Sequence, residues 1–272
     1  MLNPLKLMLT FAQRSISAAL FGILLLLIFA LSYGMGTEPY FGLYRYDFLF
    51  FFALVVQGLL MYFKLESWQE AKVIALFHVL ALIMELVLTA PHIGSWQYPE
   101  PAVLKILTVP LFAGFMYSAI GSFFARAIRL FHISFIALPE FKYLMVLALV
   151  AYINFMSKFF IFDIRNILFI WSIWLFWRTK AVFWVNRQQF TIPMLVLLLV
   201  LASLIWVAEN ISTFYDIWVY PNQADGWHMV WIGKIGSWYL LLMLSLVFVL
   251  KISGQRQSNG IWQLKEQFIK KG

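Results

Sequence analysis

The sequence of 272 residues contains no cysteine. That absence excludes disulfide frameworks, thiolate zinc sites, iron–sulfur clusters and cysteine nucleophiles. Charge is scarce too. Asp, Glu, Lys and Arg make up 12% of the chain, against about 25% in an average soluble domain. No glycine-rich phosphate loop, no G-x-S-x-G and no H-E-x-x-H occurs, and His92, His132 and His228 are scattered without paired spacing. No metal and no cofactor are therefore expected. The formal net charge is +8, but no basic stripe on a soluble module carries it, so nucleic acid is not an expected partner.

Apolar side chains are what the sequence has in excess. They make up 63% of it, and the mean hydropathy is +0.85 over the whole length. A water-soluble globule cannot cover that much apolar surface. Lipid must be the solvent. Eight apolar stretches are present, at 17–33, 46–63, 72–91, 105–124, 143–161, 164–178, 192–214 and 229–251. A membrane-spanning helix needs about 20 residues, with a range of about 17–25. The expected fold is all-α: a polytopic membrane protein of eight transmembrane helices, with 1–272 forming one transmembrane domain. The sixth stretch is short and ends in Trp177-Arg178-Thr179-Lys180. It either tilts or extends through Ala181 to Val185 with Arg178 buried. The first stretch, with Lys6 and Arg14 ahead of it, also fits a signal peptide. Its long apolar run and the lack of a small-x-small site favour an uncleaved first helix.

Basic residues set the orientation. Fifteen fall on one side: Lys6 and Arg14; Lys64 and Lys72; Arg126, Arg129 and Lys142; Arg178, Lys180 and Arg187; Lys251, Arg256, Lys265, Lys270 and Lys271. Three, Arg45, Lys158 and Arg165, fall on the other. The positive-inside rule then puts both termini in the cytoplasm, with the protein in a bacterial inner membrane. The tail 255–272 is basic and modestly amphipathic, and is expected to lie on the anionic cytoplasmic leaflet.

A motif occurs twice. Glu85-Leu-Val-Leu-Thr89 is followed by Trp96-Gln97-Tyr98-Pro99, and Glu209-Asn-Ile-Ser-Thr213 by Trp218-Val219-Tyr220-Pro221. Ile120-Gly121-Ser122 has its counterpart in Ile235-Gly236-Ser237. Each Glu sits near the outer end of a span, and each Trp-x-Tyr-Pro lies in the outer loop after it. Asp47 and Asp163, before the second and sixth stretches, extend the match. The expectation is two parallel four-helix repeats, 1–135 and 136–254, about an axis along the membrane normal.

Several of these segments carry a resemblance. Tyr46-Asp47-Phe-Leu-Phe, Glu70-Ala71-Lys72-Val73-Ile74, the Glu85 motif through Tyr117-Ser-Ala-Ile-Gly-Ser122, and Ala208-Glu209-Asn210 through Gly236-Ser237-Trp238 resemble the YoaT-like bacterial membrane family (domain of unknown function 817). The resemblance covers nearly the whole chain. It implies a bacterial multi-pass membrane protein and names no reaction. The pattern of a membrane Glu, an aromatic motif and an internal repeat also resembles integral-membrane carotenoid hydratases and lycopene cyclases, although these favour a Pro-Phe-Gly-x-Tyr arrangement over Trp-x-Tyr-Pro.

Ionisable residues within spans are costly and point to function by default. Here they are His78, Glu85, Glu209 and Lys234, with Gln57, Asn154 and Asn210 as neutral companions. Glu85, Glu209, Lys234 and His78 are the candidate catalytic residues. Thr89, Trp96, Tyr98, Thr213, Trp218 and Tyr220 are the candidate substrate-binding ones. A Glu one turn before a Thr can equally serve only to fix the chain as it re-enters the membrane, and Trp and Tyr are common interfacial anchors. Gly114-x-x-x-Ser118-x-x-x-Ser122 and Gly233-x-x-x-Ser237 are expected to pack the fourth and eighth helices together at the repeat interface. Glu209 and Lys234 lie at matched depth on adjacent spans, so an ion pair is expected between them, leaving Glu85 as the protonated carboxyl.

Three functions remain open. One is an acid/base enzyme acting on a lipid-phase substrate such as an isoprenoid, with Glu85 protonating a double bond and aromatic faces stabilising the cation. The second is a transporter of a small solute or ion, although the charges lie away from the midplane. The third is an assembly partner without chemistry. Membrane lipids and a lipophilic small molecule are the expected partners, and the oligomeric state is open.

Overall fold

The structure, a computed structural model, describes residues 4–265. It is mostly helical. Four helices are long and apolar enough to cross a membrane: α3 (Arg45–Tyr62), α4 (Trp68–Leu88), α8 (Met194–Phe214) and α9 (Lys234–Ser253). A fifth passes the same test when α1 (Pro4–Ala18) and α2 (Leu20–Ser32) are taken together, though the pair bends by 68° at its break. Three further helices, α5 (Ala113–Leu130), α6 (Phe141–Ser157) and α7 (Arg165–Phe176), fall on the remaining stretches.

Local sequence explains the starts. Ser67 and Glu70 form a capping box on α4: Ser67 Oγ accepts from Glu70 N at 3.2 Å, and Glu70 Oε2 accepts from Ser67 N at 2.6 Å. At the head of α3, Asp47 Oδ2 accepts from Tyr44 N at 2.9 Å, while Oδ1 takes Leu104 N at 2.7 Å. The same carboxylate thus caps a helix and ties down the loop after α4.

Two boundaries differ from the sequence expectation. The fourth stretch was expected to be helical from 105, but β1 (Lys105–Ile106) and β2 (Val109–Pro110) form a tight antiparallel hairpin there. Pro110 has no N–H to give and forces its predecessor toward extended backbone, so α5 starts after it and runs on to Leu130. The eighth helix begins at Lys234, five residues later than its apolar stretch.

The larger correction is a sheet. β3 (Ser134–Ile136), β4 (Lys180–Val185), β5 (Gln188–Pro193), β6 (Gly254–Arg256) and β7 (Trp262–Leu264) form five antiparallel strands in the order β5-β4-β3-β7-β6. The sixth span therefore does not extend through Ala181 to Val185, and Arg178 is exposed. The β4–β5 turn places Asn186 and Arg187 at φ 47° and 65°, the two positive values that a two-residue hairpin requires. β-Branched and aromatic residues on both sides, Val182 to Val185 and Phe190 to Ile192, favour strand over helix. The first part of the tail, expected to lie on the leaflet, is built into this sheet through β6 and β7. Residues 266–272 lie outside the described residues.

α9 is the central helix, buried on nearly all sides and packed by α4, α5, α6 and α8. α5 lies along α4 and α9 along α8; α2 packs on α5 and α6 on α9. The small-residue face of α5 has a different partner from the one expected. A Cβ at Gly114 would stand 2.5 Å from His78 Nδ1, and one at Gly121 would stand 2.6 Å from Phe77 Cδ2. Ser118 Oγ also donates to Ile74 O at 3.2 Å. The stripe therefore lets α4 approach, and α9 meets α5 beside it. Gly236 of α9 faces Phe169 of α7.

Candidate functional site

α4 and α8 each carry a buried glutamate one turn from their ends: Glu85 and Glu209 are 1% and 3% exposed. After each helix the chain turns and runs extended across the bundle. Side chains two apart on extended backbone share a face, so the spacing Trp-x-Tyr presents both rings of a motif together. The two motifs also pair with each other. Gln97 and Val219 exchange both backbone hydrogen bonds at 2.9 Å in an isolated antiparallel bridge.

This bridge aims the rings at the carboxylates. Glu85 Oε2 accepts from Trp96 Nε1 at 2.9 Å and from the Tyr98 hydroxyl at 2.8 Å, and Oε1 accepts from the Tyr117 hydroxyl at 2.8 Å. Glu209 Oε1 accepts from the Tyr220 hydroxyl at 2.5 Å, and Oε2 from Trp238 Nε1 at 2.8 Å. Burial, and after it the facing carboxylate, pushes the loop phenols Tyr98 and Tyr220 well above the ordinary tyrosine range. Both hydroxyls therefore stay protonated and donate.

Both carboxylates, together with Trp96, Trp218, Tyr220 and Lys234, line one half-open cavity of about 270 Å³. Its polar groups gather at one end. The rest of the wall is apolar and runs down α2 from Phe29 to Ala19, with Met116 and Ile120 of α5 and Leu201 and Ile205 of α8. At 1.5 Å per residue the α2 wall is about 15 Å long.

The structure brings Glu85, Glu209, Lys234, Trp96, Tyr98, Trp218 and Tyr220 together and leaves three expected members out. His78 is pressed against α5, its ring centroid 4.5 Å from that of Phe115 and its Nδ1 buried without a hydrogen bond. Thr89 and Thr213 cap helix ends: Thr89 Oγ1 donates to Glu85 O at 2.8 Å, and Thr213 Oγ1 to Asn210 O at 3.2 Å. Neither hydroxyl reaches a carboxylate. The Glu209–Lys234 ion pair is also not formed. Lys234 Nζ sits 4.1 Å from the centroid of the Tyr220 ring and 5.7 Å from that of Trp96. Those ring faces, one from each motif, hold it away from the carboxylate. Nor is Glu85 the poorer of the two in partners, since it accepts three hydrogen bonds to the two on Glu209.

Sequence reasoning missed Tyr117 and Trp238 as carboxylate partners. Their signal was position: Trp238 follows Ile235-Gly236-Ser237, and Tyr117 lies one turn before Ile120-Gly121-Ser122. It also missed the clamp outside the site. Arg45, 1% exposed, donates to Glu100 Oε1 at 2.5 Å, Ser32 Oγ at 3.0 Å, Phe29 O at 2.9 Å and Tyr215 O at 3.0 Å. One guanidinium thereby joins α2, the first motif's loop and the end of α8. Burial raises the Glu100 carboxyl above the usual range, and the Arg45 charge opposes that rise.

The family model DUF817, described as a protein of unknown function, matches residues 7–246. The protein YoaT of Bacillus subtilis (strain 168), described as uncharacterized, is 37% identical over 215 residues, which is 79% of this chain and 81% of that protein. These matches lend nothing to the likeness with carotenoid hydratases and lycopene cyclases. No solved structure matches.

Proposed function

The chain belongs to the DUF817 family, and from that premise we propose a multi-pass inner-membrane protein that performs acid/base chemistry on a lipid-phase substrate, an isoprenoid being the class in view. Eight spans, α2 to α9, form two parallel four-helix repeats in this reading. The five-stranded sheet supports an even number of crossings. β3 follows α5, the β4–β5 hairpin follows α7 and β6–β7 follows α9; each pair of helices between them leaves the sheet and returns to it. The Gln97–Val219 bridge between the two motif loops supports the duplication. The side carrying the sheet is the side rich in Lys and Arg, which makes it cytoplasmic by the positive-inside rule. A reporter fused after Lys271 should be active inside the cell; a reporter read outside overturns this orientation.

The cavity carries the functional reading. Two carboxylates and an ammonium stand at one end of an apolar slot, and five Trp and Tyr rings face the same space. A lipid lying in the slot has its terminus beside groups able to give and take a proton, with Trp and Tyr faces able to stabilise a cation as it forms. Glu85 and Glu209 are the acid and base of this reading, and Lys234 sets the local field.

Lipid profiles of a deletion strain, complemented with wild type or with Glu85→Gln, provide the test. A lipid-soluble precursor should accumulate in the deletion and the variant and disappear with wild type. Unchanged lipids with altered ion or solute tolerance would overturn the enzyme in favour of a transporter. Unchanged lipids and tolerance would leave an assembly partner.

A further inference from the structure

Lys234 is the one charged group of the cavity without a carboxylate, hydroxyl or carbonyl on it. Among the described residues its ammonium makes no ion pair within 4 Å and no side-chain hydrogen bond, and it stands over the Tyr220 and Trp96 ring faces. An ammonium has three donors and no acceptor. Whatever completes it must be an acceptor, and the cavity is the open side from which an acceptor can come.

Charge narrows the class of that acceptor. An anionic headgroup would share one end of an apolar slot with the ionised one of the two glutamates, placing two anionic groups against one cation out of water. A cationic headgroup would have to displace Lys234 from the two rings it already occupies. A neutral oxygen acceptor meets neither obstacle. Shape narrows it further. Trp96, Tyr117, Trp218, Tyr220 and Trp238 line the polar end, and aromatic faces suit a flat, polarisable head. Below them the wall is apolar for about 15 Å.

Resting on the proposed lipid-phase substrate, we infer that the ligand is a neutral prenyl-type lipid whose head is a flat, carbonyl-bearing ring. Its carbonyl oxygen accepts a hydrogen bond from Lys234 Nζ, and its single chain follows α2 toward Ala19.

The test uses the full chain purified in detergent and three probes with the same C10 chain: an alkylated benzoquinone, a fatty acid and a primary alkylamine. Binding is measured calorimetrically. The quinone should bind at least tenfold more tightly than the acid or the amine. Lys234→Met should weaken quinone binding tenfold or more, while Lys234→Gln, which keeps an N–H donor, should restore most of it. Gly22→Leu should block all three probes, because the nearest atom to a Cβ at Gly22 is Ala119 Cβ at 3.7 Å and a longer side chain then enters the slot. Thermal unfolding of each variant separates lost binding from lost fold. Acid or amine binding as tightly as quinone overturns the head assignment and leaves the lipid cavity standing. Undiminished quinone binding by well-folded Lys234→Met also overturns it. If no probe binds the wild type, or if Gly22→Leu binds them all, the lipid-cavity reading fails as well.

Discussion

Tyr220→Phe should destabilise the protein more than Tyr98→Phe, although each removes one phenol hydroxyl from one buried glutamate. The difference lies in which oxygen loses its donor. Glu85 Oε2 is shared by Trp96 and Tyr98, so Tyr98→Phe leaves it bonded to the indole. Glu209 Oε1 is held by Tyr220, and Trp238 bonds the other oxygen, so Tyr220→Phe leaves Oε1 bare. A hydrogen bond to a charged group contributes about 1.5–3 kcal/mol, and a buried acceptor left without a partner costs about 1–3 kcal/mol more. Tyr98→Phe should therefore cost about 1.5 kcal/mol and Tyr220→Phe about 3 kcal/mol or more.

Equilibrium unfolding in mixed micelles, with increasing SDS as denaturant and circular dichroism as signal, measures both. A double-mutant cycle isolates the contact. Glu209→Gln combined with Tyr220→Phe should lose about 1.5 kcal/mol less than the two single losses added. Equal costs for the two tyrosines, or strict additivity in the cycle, would refute the assignment of one donor to Oε1.

Other substitutions test the scaffold in the same unfolding assay. Arg45→Met strands Glu100 and two carbonyl acceptors and should cost about 3–5 kcal/mol; a loss under about 1 kcal/mol would remove the clamp from the argument. Gly114→Ala drives a methyl into His78 and should cost about 1–3 kcal/mol, with Gly58→Ala, which meets open space, as the neutral control. Ser67→Ala removes the α4 cap and should cost about 1 kcal/mol. Lys234→Met should cost only about 1–2 kcal/mol, the scale of desolvated ring contacts; a loss of about 3–5 kcal/mol would mean the Glu209 pair forms after all.

The sequence made the helical part of the fold legible because lipid-facing and core-facing residues are both apolar, so each helix is a long hydrophobic run. Strands had no such signal. Lys180 to Pro193 read as the tail of a span and its loop, since Ala-Val-Phe-Trp-Val is apolar whichever structure it takes, and the deciding feature was the positive φ at Asn186 and Arg187. The Glu residues and the Trp-x-Tyr-Pro motifs were legible because they recur. The partners Tyr117 and Trp238 were not, because they come from unlike positions on α5 and α9. Arg45 was counted as an outside loop charge, yet it is buried, because three carbonyl and carboxylate groups from separate segments converge on it and no local pattern records their approach. The Glu209–Lys234 pair failed for a related reason. Depth along a helix fixed how near the two groups come, and one ring from each motif decided where the ammonium points.

On the proposed duplication, the places where the copies differ are the places that matter to a ligand. The paired motif loops give the site two similar halves, and two equal halves would offer an asymmetric lipid two equivalent ways in. Aligning Ile120-Gly121-Ser122 with Ile235-Gly236-Ser237 sets Lys234 opposite Ala119 and Trp238 opposite Phe123. All four line the cavity. The second copy thus supplies an ammonium and an indole donor where the first supplies a methyl group and a phenyl ring. A polar head gains by lying on the α9 side, and an apolar chain loses nothing by lying on the α5 side. The substitutions that break the symmetry therefore choose one orientation for the ligand, and they place its head within reach of both glutamates.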